Sequence, residues 1–157
     1  MAAVEKSIAA MESQFAVADE ELRPAFETLV RSTKDVGAAQ SLLKLALDVS
    51  AGSGRSLQDV SVALVKAQGG QMRGLKDLGI AVKTTSGDTA SFVDVQAQLN
   101  AMFSGQAQKA ADSQTGQMKK LGIQYENLKE SVGTALLPVF IQLAAVLTSL
   151  LSWWNHL

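Results

Sequence analysis

The stretch closest to a chemical motif is residues 52–56, Gly-Ser-Gly-Arg-Ser, which precede an apolar, helix-like run. In a phosphate-binding loop, backbone N–H groups at the start of a helix hold the anion. The full pattern, however, requires a glycine where Val49 stands, a lysine where Arg55 stands, and a preceding strand. Because the residues before Gly52 have helical periodicity, we predict a turn between two helices here rather than a phosphate site.

The titratable residues do not form a recognisable catalytic or metal-binding pattern. The one histidine, His156, lies in the last dipeptide and has no carboxylate at a spacing typical of metal or acid–base sites. The chain has no cysteine, which excludes thiolate chemistry. The carboxylates that could take part in catalysis are scattered, about one to each predicted helix, and are expected on solvated surface: Asp48, Asp59, Asp77, Asp94 and Asp112. We therefore predict no enzyme, no cofactor and no metal; an enzyme fragment would need a polar cluster around Asp48 or Asp94.

Composition favours an all-α protein without a nucleic-acid surface. The 157 residues carry a net charge of −1, so no specific nucleic-acid binding is expected. Alanine, leucine, glutamine and lysine are plentiful, and only two prolines interrupt the chain. Glu5 and Lys6 stand where a secretory signal would start its apolar region, so no cleavable signal is predicted.

Residues 1–104 predict a compact set of short helices. Val4, Ile8, Met11 and Phe15 step by four and three and line one helical face. Acidic residues 19–21 mark the start of a second helix, with Pro24 expected in its first turn. A corner is predicted at 34–37, helix ends at Gly52–Gly54 and Gly69–Gly70, an N-cap at Ser56, a short helix around Leu75, a loop or hairpin arm over 80–90, and a further helix after Ser91.

Residues 105–130 differ in having thinly spread apolar side chains among alanine, glutamine and charged residues. Helical spacing is retained, which predicts an extended spacer helix that packs on little of its own chain. Such a narrow apolar stripe is suited to pairing with copies of the same helix. The predicted self-association residues are Met118, Leu121, Tyr125 and Leu128.

Residues 131–157 form an apolar segment in which no Asp, Glu, Lys or Arg occurs. A helix from Ala135 to Trp154 would extend roughly 30 Å, the thickness of a bilayer's hydrocarbon core. Its few polar side chains are expected at different angles around the helix. The segment is therefore a candidate transmembrane helix, with burial against other protein as the open alternative. The predicted membrane or partner residues are Leu136, Leu137, Phe140, Ile141, Leu143, Val146, Leu147, Leu150, Leu151, Trp153 and Trp154.

Three blocks of the sequence resemble the tape measure proteins of long-tailed bacteriophages and prophages. The first is residues 46–70, ALDVSAGSGRSLQDVSVALVKAQGG, followed by LKDLGI at 75–80. The second is residues 103–140, with a Gly-Gln-Ala entry, spaced alanines and a Gly-x-Ala-Leu-Leu-Pro run before the apolar helix. Residues 22–47 are similar to the helical pair that precedes these blocks in the family.

This resemblance implies a structural function. Several copies of such a protein would pack in the tail lumen with tail tube and tail assembly proteins, help to set tail length, and release apolar segments into the host membrane during genome delivery. Family members are usually much longer, so a fragment, a truncated prophage copy or one section of a split gene is expected. The alternative is a small membrane-permeabilising protein, holin-like or toxin-like, in which the helical front part only confers solubility.

Overall fold

The structure is a computed structural model that describes residues 2–83 and 91–154. Within these ranges it is all-α, as the sequence predicts, and it ends in a long helix that is apolar enough to span a membrane. In chain order, the eight helices of the described ranges are α1 (Ala2–Phe15), α2 (Asp19–Thr33), α3 (Val36–Ser53), α4 (Leu57–Gln68), α5 (Arg73–Asp77), α6 (Phe92–Phe103), α7 (Gln106–Asp112) and α8 (Gln114–Trp154).

The chain divides into two compact units, Met1–Lys120 and Leu121–Leu157. In the first unit α3 is the central helix, because it packs against α2, α4, α6 and α7. Between Ala39 and Val49 its alanine, leucine and valine side chains lie on more than one face and are all buried, as expected of a helix that packs on several others. Members of the core that are fully buried or nearly so include Leu22, Leu29, Leu43, Val49, Val60, Leu64, Leu75, Val95 and Leu99.

Side-chain caps mark the starts of α3 and α4. Ser56 is the N-cap of α4, as predicted, and its hydroxyl accepts a hydrogen bond from the Asp59 N–H at 3.1 Å. The predicted corner at 34–37 is shorter than expected, since α3 already begins at Val36. Asp35 caps that helix by accepting the Ala38 N–H. Such caps satisfy backbone donors that have no partner within the helix.

The prediction that Pro24 lies in the first turn of its helix is wrong. The helix begins at Asp19, so Pro24 is its sixth residue and lies in the second turn. Proline has no N–H there to donate back to Glu20, and the helix therefore lacks one bond of its ladder. The three acidic residues at the start of α2 do occupy its first turn, as predicted.

The region predicted as one spacer helix, residues 105–130, contains a break at Ser113. The hydroxyl of Ser113 donates to the Ala110 carbonyl at 2.6 Å and accepts the Gly116 N–H at 3.1 Å, so one side chain ends α7 and starts α8. The preceding helix α7 packs against α1 and α3, with Ala107 and Ala111 buried. The compact unit thus extends past the predicted boundary at residue 104.

At this corner Gly116 is the residue that permits the close approach of the two helices. A Cβ atom at this position would collide with the backbone carbonyls of Ala110 and Ala111. A backbone obstacle cannot rotate away as a side chain does. Glycine is therefore required for the start of α8 to lie against the end of α7.

The predicted loop or hairpin arm over residues 80–90 is described only in part. Ile80 is buried in the core, and residues 81–83 have no regular secondary structure. The main-chain N–H and C=O groups of Lys83 bond to the side-chain amide of Gln98, which ties this segment to α6. The predicted turn at Ser86–Asp88 lies outside the described residues.

Candidate membrane or partner helix

The five residues that resemble a phosphate loop serve the turn from α3 to α4, as predicted. Gly54 has φ of 72°, the left-handed conformation that ends α3, and its N–H bonds to the Ser50 carbonyl. Gly52 lies against α6, where a Cβ atom would come within 2.5 Å of Cδ1 of Phe103. Glycine is thus used for a helix end and for close packing.

The charged residue of this turn is occupied by a structural contact. Nε of Arg55 donates to the Leu78 carbonyl at 3.1 Å, which links the turn to the end of α5. The Arg55 carbonyl in turn accepts a hydrogen bond from the Ser50 hydroxyl. These contacts hold the turn in place, and they leave the guanidinium directed at the protein's own backbone.

The prediction of solvated carboxylates holds for four of the five residues and is wrong for Asp48. The side chain of Asp48 is buried, and its Oδ1 accepts the Ala107 N–H at 2.9 Å. It therefore supplies an acceptor to the first turn of α7, where helix N–H groups lack intrahelical partners. The exposed carboxylates are Asp59, Asp77, Asp94 and Asp112.

Acidic and histidine side chains do not gather into a metal site in the described part of the chain. The clearest ionic cluster joins α1 to α2, where Arg23 bonds to Glu5 at 2.9 Å and to Asp19 at 3.0 Å. Its hydrogen bond and charge lower the pKa of Glu5, and the two carboxylates raise the pKa of Arg23. This cluster is exposed and fastens two helices together. His156 lies outside the described residues.

The second unit presents the candidate functional surface. Its helix is long and apolar enough to cross a membrane: an 18-residue window of α8 has a mean hydropathy of 2.0, and none of that window is buried. All the large apolar side chains predicted as membrane or partner residues are exposed, from 44% for Leu136 to 73% for Trp154. The structure therefore places the predicted residues together on one helix and leaves their surfaces uncovered.

Hydroxyl side chains in this segment are satisfied by their own helix. Thr148 donates to the carbonyls of Ala144 and Ala145, Ser149 donates to Ala145, and Ser152 donates to Ser149, all at 2.8–3.0 Å. Such bonding back to the preceding turn removes most of the cost of placing a hydroxyl in an apolar medium.

The expectation that the polar side chains are spread around this helix is wrong. With 100° between successive residues, Gln142, Thr148, Ser149 and Ser152 all fall within one arc of roughly 120°. The amide of Gln142 has no hydrogen-bond partner among the described residues. Large apolar residues thus cover most of the circumference of this helix, and the remaining narrow side is more polar.

The predicted self-association residues lie just before the apolar segment, and they are also exposed. Met118, Leu121, Tyr125 and Leu128 are each 60–65% accessible. Beside them Lys129 bonds to Glu126 at 3.2 Å, and its Nζ lies 5.5 Å from the centre of the Tyr125 ring. The positive charge of Lys129, beside these four residues, is therefore balanced by Glu126 of the same helix.

Two residues on the same side of α8 were not predicted, although their spacing would have identified them. Val132 and Val139 are 46% and 57% exposed and continue the three-and-four spacing from Leu128. The change in charge after Glu130 divides this stripe in the sequence and separates Val132 and Val139 from Leu128. On the helix the two stretches form one stripe.

Comparison with known proteins identifies no relative: no family model, no curated protein and no solved structure matches the chain.

Proposed function

We propose that this chain is a structural, non-catalytic helical protein of the bacteriophage tape measure type, whose α8 enters a lipid membrane. The observation that carries the proposal is that the apolar side chains of α8 are exposed although the first unit has a buried core of its own. The order of the sequence blocks described above supports the tape measure part. The partners are then further copies, tail tube and tail assembly proteins, and the host membrane, with the chain stored in the tail lumen before ejection.

Exposed surface of this size requires a cover in the functional state. Burial of a half-exposed leucine or valine stabilises by about 1 kcal/mol, so the large apolar residues of α8 together represent on the order of 10 kcal/mol. Soluble monomers rarely leave such a contiguous patch in water. Lipid or other protein must therefore contact this helix when the molecule works.

Three features favour lipid as the cover of the apolar segment. The last charged side chain before it is Glu130, and none follows within residues 131–157. The backbone is helical to Trp154, so its polar groups bond within the segment, as a membrane requires. Trp153 and Trp154 close the helix, and indoles favour the interface between hydrocarbon and water.

Flotation of the protein on liposomes, followed by alkaline carbonate washing, tests this proposal. We expect the full chain to float and to resist the wash, whereas a 1–130 truncation and the double variant Leu143→Lys, Leu147→Lys stay in solution. The matched control is Gln124→Lys with Asn127→Lys, which adds the same charge before the apolar segment and should still float. A full chain that remains soluble as an oligomer, and that the Leu143 and Leu147 substitutions disperse, would contradict lipid insertion.

A small membrane-permeabilising protein is the second candidate, favoured by the same uncharged apolar helix. It differs in its effect on vesicles that contain a trapped dye. A permeabilising protein releases the dye at low dose, while a structural protein binds the vesicles and leaves them sealed. Dye release by the full chain, absent in the Leu143→Lys, Leu147→Lys variant, would replace the structural proposal with this one.

A further inference from the structure

Nine of the large apolar residues of the second unit form one continuous stripe along α8, which we call the α8 seam. Successive members are three or four residues apart, the spacing by which one helix meets another in a coiled coil. All members are 44–62% exposed. The α8 seam consists of Leu121, Tyr125, Leu128, Val132, Leu136, Val139, Leu143, Val146 and Leu150.

From this geometry we infer that the α8 seam binds the α8 seam of a second copy of this chain, with the two helices parallel and in register. The inference rests on the proposed function in taking α8 as the functional helix, and it names the partner of that helix. Whereas the proposed function concerns only contact between the apolar segment and lipid, the pairing of two copies would begin in the charged stretch outside the lipid and continue into the apolar segment.

The width of the seam in the charged stretch favours a helix, rather than lipid or a broad protein face, as its partner. Between Leu121 and Val132 the apolar side chains of the seam occupy a narrow arc; Ile123 lies on the opposite side, and charged, amide or small residues cover most of the remaining surface. A helix that packs on a globular core has a wider apolar face, of 100° or more. A narrow seam is matched by one equally narrow seam.

Charge along the edges of the seam is compatible with a second copy. In the charged stretch, the positions that flank the seam hold Gln124 and Ser131 on one edge and Gly122 and Lys129 on the other. Lys129 is already paired with Glu126 in its own helix. A parallel partner therefore places Lys129 opposite an uncharged glutamine of the second copy and brings no like charges together.

The parallel orientation follows from where the charges end. Residues 131–154 carry no charge, whereas residues 119–130 carry five: Lys119, Lys120, Glu126, Lys129 and Glu130. An antiparallel pair would set the apolar segment of one copy beside the charged stretch of the other. In the parallel pair both apolar segments lie side by side and can enter the same lipid layer.

The area available is that of a stable interface. If each of the nine seam side chains covers on the order of 90 Å², each copy buries about 800 Å², the size of a standard specific interface. The step from Leu128 to Val132 and on to Leu136 is four residues twice in succession. This insertion in the repeat unwinds a coiled coil locally, and it lies where the charged and apolar stretches join.

Disulfide cross-linking of the full chain tests the inference directly, because the natural sequence contains no cysteine. Single variants Leu121→Cys and Leu143→Cys place one thiol in the charged part and one in the apolar part of the α8 seam. Asn127→Cys, on the opposite side of the helix, is the matched control. Each variant is oxidised in mild detergent and in sealed vesicles and run on a non-reducing gel, with helicity checked by circular dichroism.

We expect both seam variants to form disulfide dimers about tenfold faster than Asn127→Cys, because only in-register seam positions bring two Cβ atoms within disulfide reach. Seam variants that cross-link no faster than the control would overturn the inference. Mixed dimers of Leu121→Cys with Leu143→Cys, in the absence of like-with-like dimers, would overturn the parallel orientation. Flotation of the same samples separates the two proposals: a chain that floats without cross-linking loses only this inference, and one that cross-links without floating loses only lipid insertion.

Discussion

Helices α3 and α8 have similar apolar residues and opposite surroundings. In α3, Leu43, Ala46 and Val49 are wholly buried, and other helices of the first unit pack around them. In α8, Leu136, Leu143 and Leu150 are about half exposed. A strongly apolar helix must be covered, and the difference between the two shows that composition does not say whether protein or another medium covers it.

The difference also separates stability from function. Side chains of α3 stabilise the first unit, so their loss should unfold it. Side chains of the apolar part of α8 contribute little to that fold. Their loss should therefore leave the first unit intact and weaken binding by α8. Matched substitutions in the two helices test this distinction.

The largest contrast is expected between Leu43→Ala and Leu143→Ala. Truncation of the fully buried Leu43 leaves a cavity and should lower the free energy of unfolding by about 2–5 kcal/mol. Leu143, which is 54% exposed, should change it by less than about 0.5 kcal/mol. Urea unfolding of the full chain in mild detergent, followed by circular dichroism, measures both. Equal losses would show that the apolar helix belongs to the folded core.

A second contrast compares two glycines of α8 that have different surroundings. Gly116→Ala forces a Cβ atom against the backbone of α7 and should destabilise by about 1–3 kcal/mol. Gly122 has no such neighbour within 4 Å, so Gly122→Ala should stabilise the helix by about 0.5–1 kcal/mol. Thermal unfolding of both variants shows whether each substitution lowers or raises the stability. A tolerated alanine at position 116 would mean that the corner between α7 and α8 is not close-packed.

A third contrast separates the buried carboxylate from the solvated ones. Asp48→Ala leaves the Ala107 N–H without its acceptor and should cost about 1–2 kcal/mol, whereas Asp77→Ala, on the surface, should cost less than about 0.5 kcal/mol. Amide hydrogen exchange at residue 107 should accelerate only in the first variant. Unchanged exchange there would contradict the capping contact.

The smallest effect concerns the attachment of α1. The pKa of Glu5 is lowered in the folded state by Arg23, from an ordinary value of 4.5. The stabilisation that the ionised Glu5 carboxylate gives the folded state is therefore fully present above pH 4.5 and is lost as the pH falls through the lowered pKa. We expect slightly faster amide exchange in α1 at acidic pH, and the Glu5→Gln variant should lose this pH dependence. A pH dependence that is unchanged in Glu5→Gln would assign it to another group.

Features that depend on neighbours in the chain could be predicted from the sequence. The N-cap at Ser56, the helix end at Gly54 and the acidic first turn of α2 each depend on residues within four positions. The long apolar helix was likewise recognisable, because an uncharged helical stretch of this length is a local property.

Features that depend on distant partners could not be predicted. Asp48 is buried because it meets an N–H group 59 residues away, and nothing in its own helix indicates that contact. The break at Ser113 depends on Gly116, whose need for a small residue is visible only when α7 and α8 are packed. The α8 seam is intermediate between local and long-range features. Its spacing can be read from neighbouring residues, but the change in charge after Glu130 makes it look like two separate elements.

The most direct test of lipid insertion uses the two tryptophans of the chain, Trp153 and Trp154, because all tryptophan emission then comes from the end of α8. If α8 inserts, lipid vesicles shift this emission to shorter wavelength and brominated lipids quench it, and the Leu143→Lys, Leu147→Lys variant shows neither effect. Emission that vesicles leave unchanged in the full chain would contradict insertion of α8 into lipid.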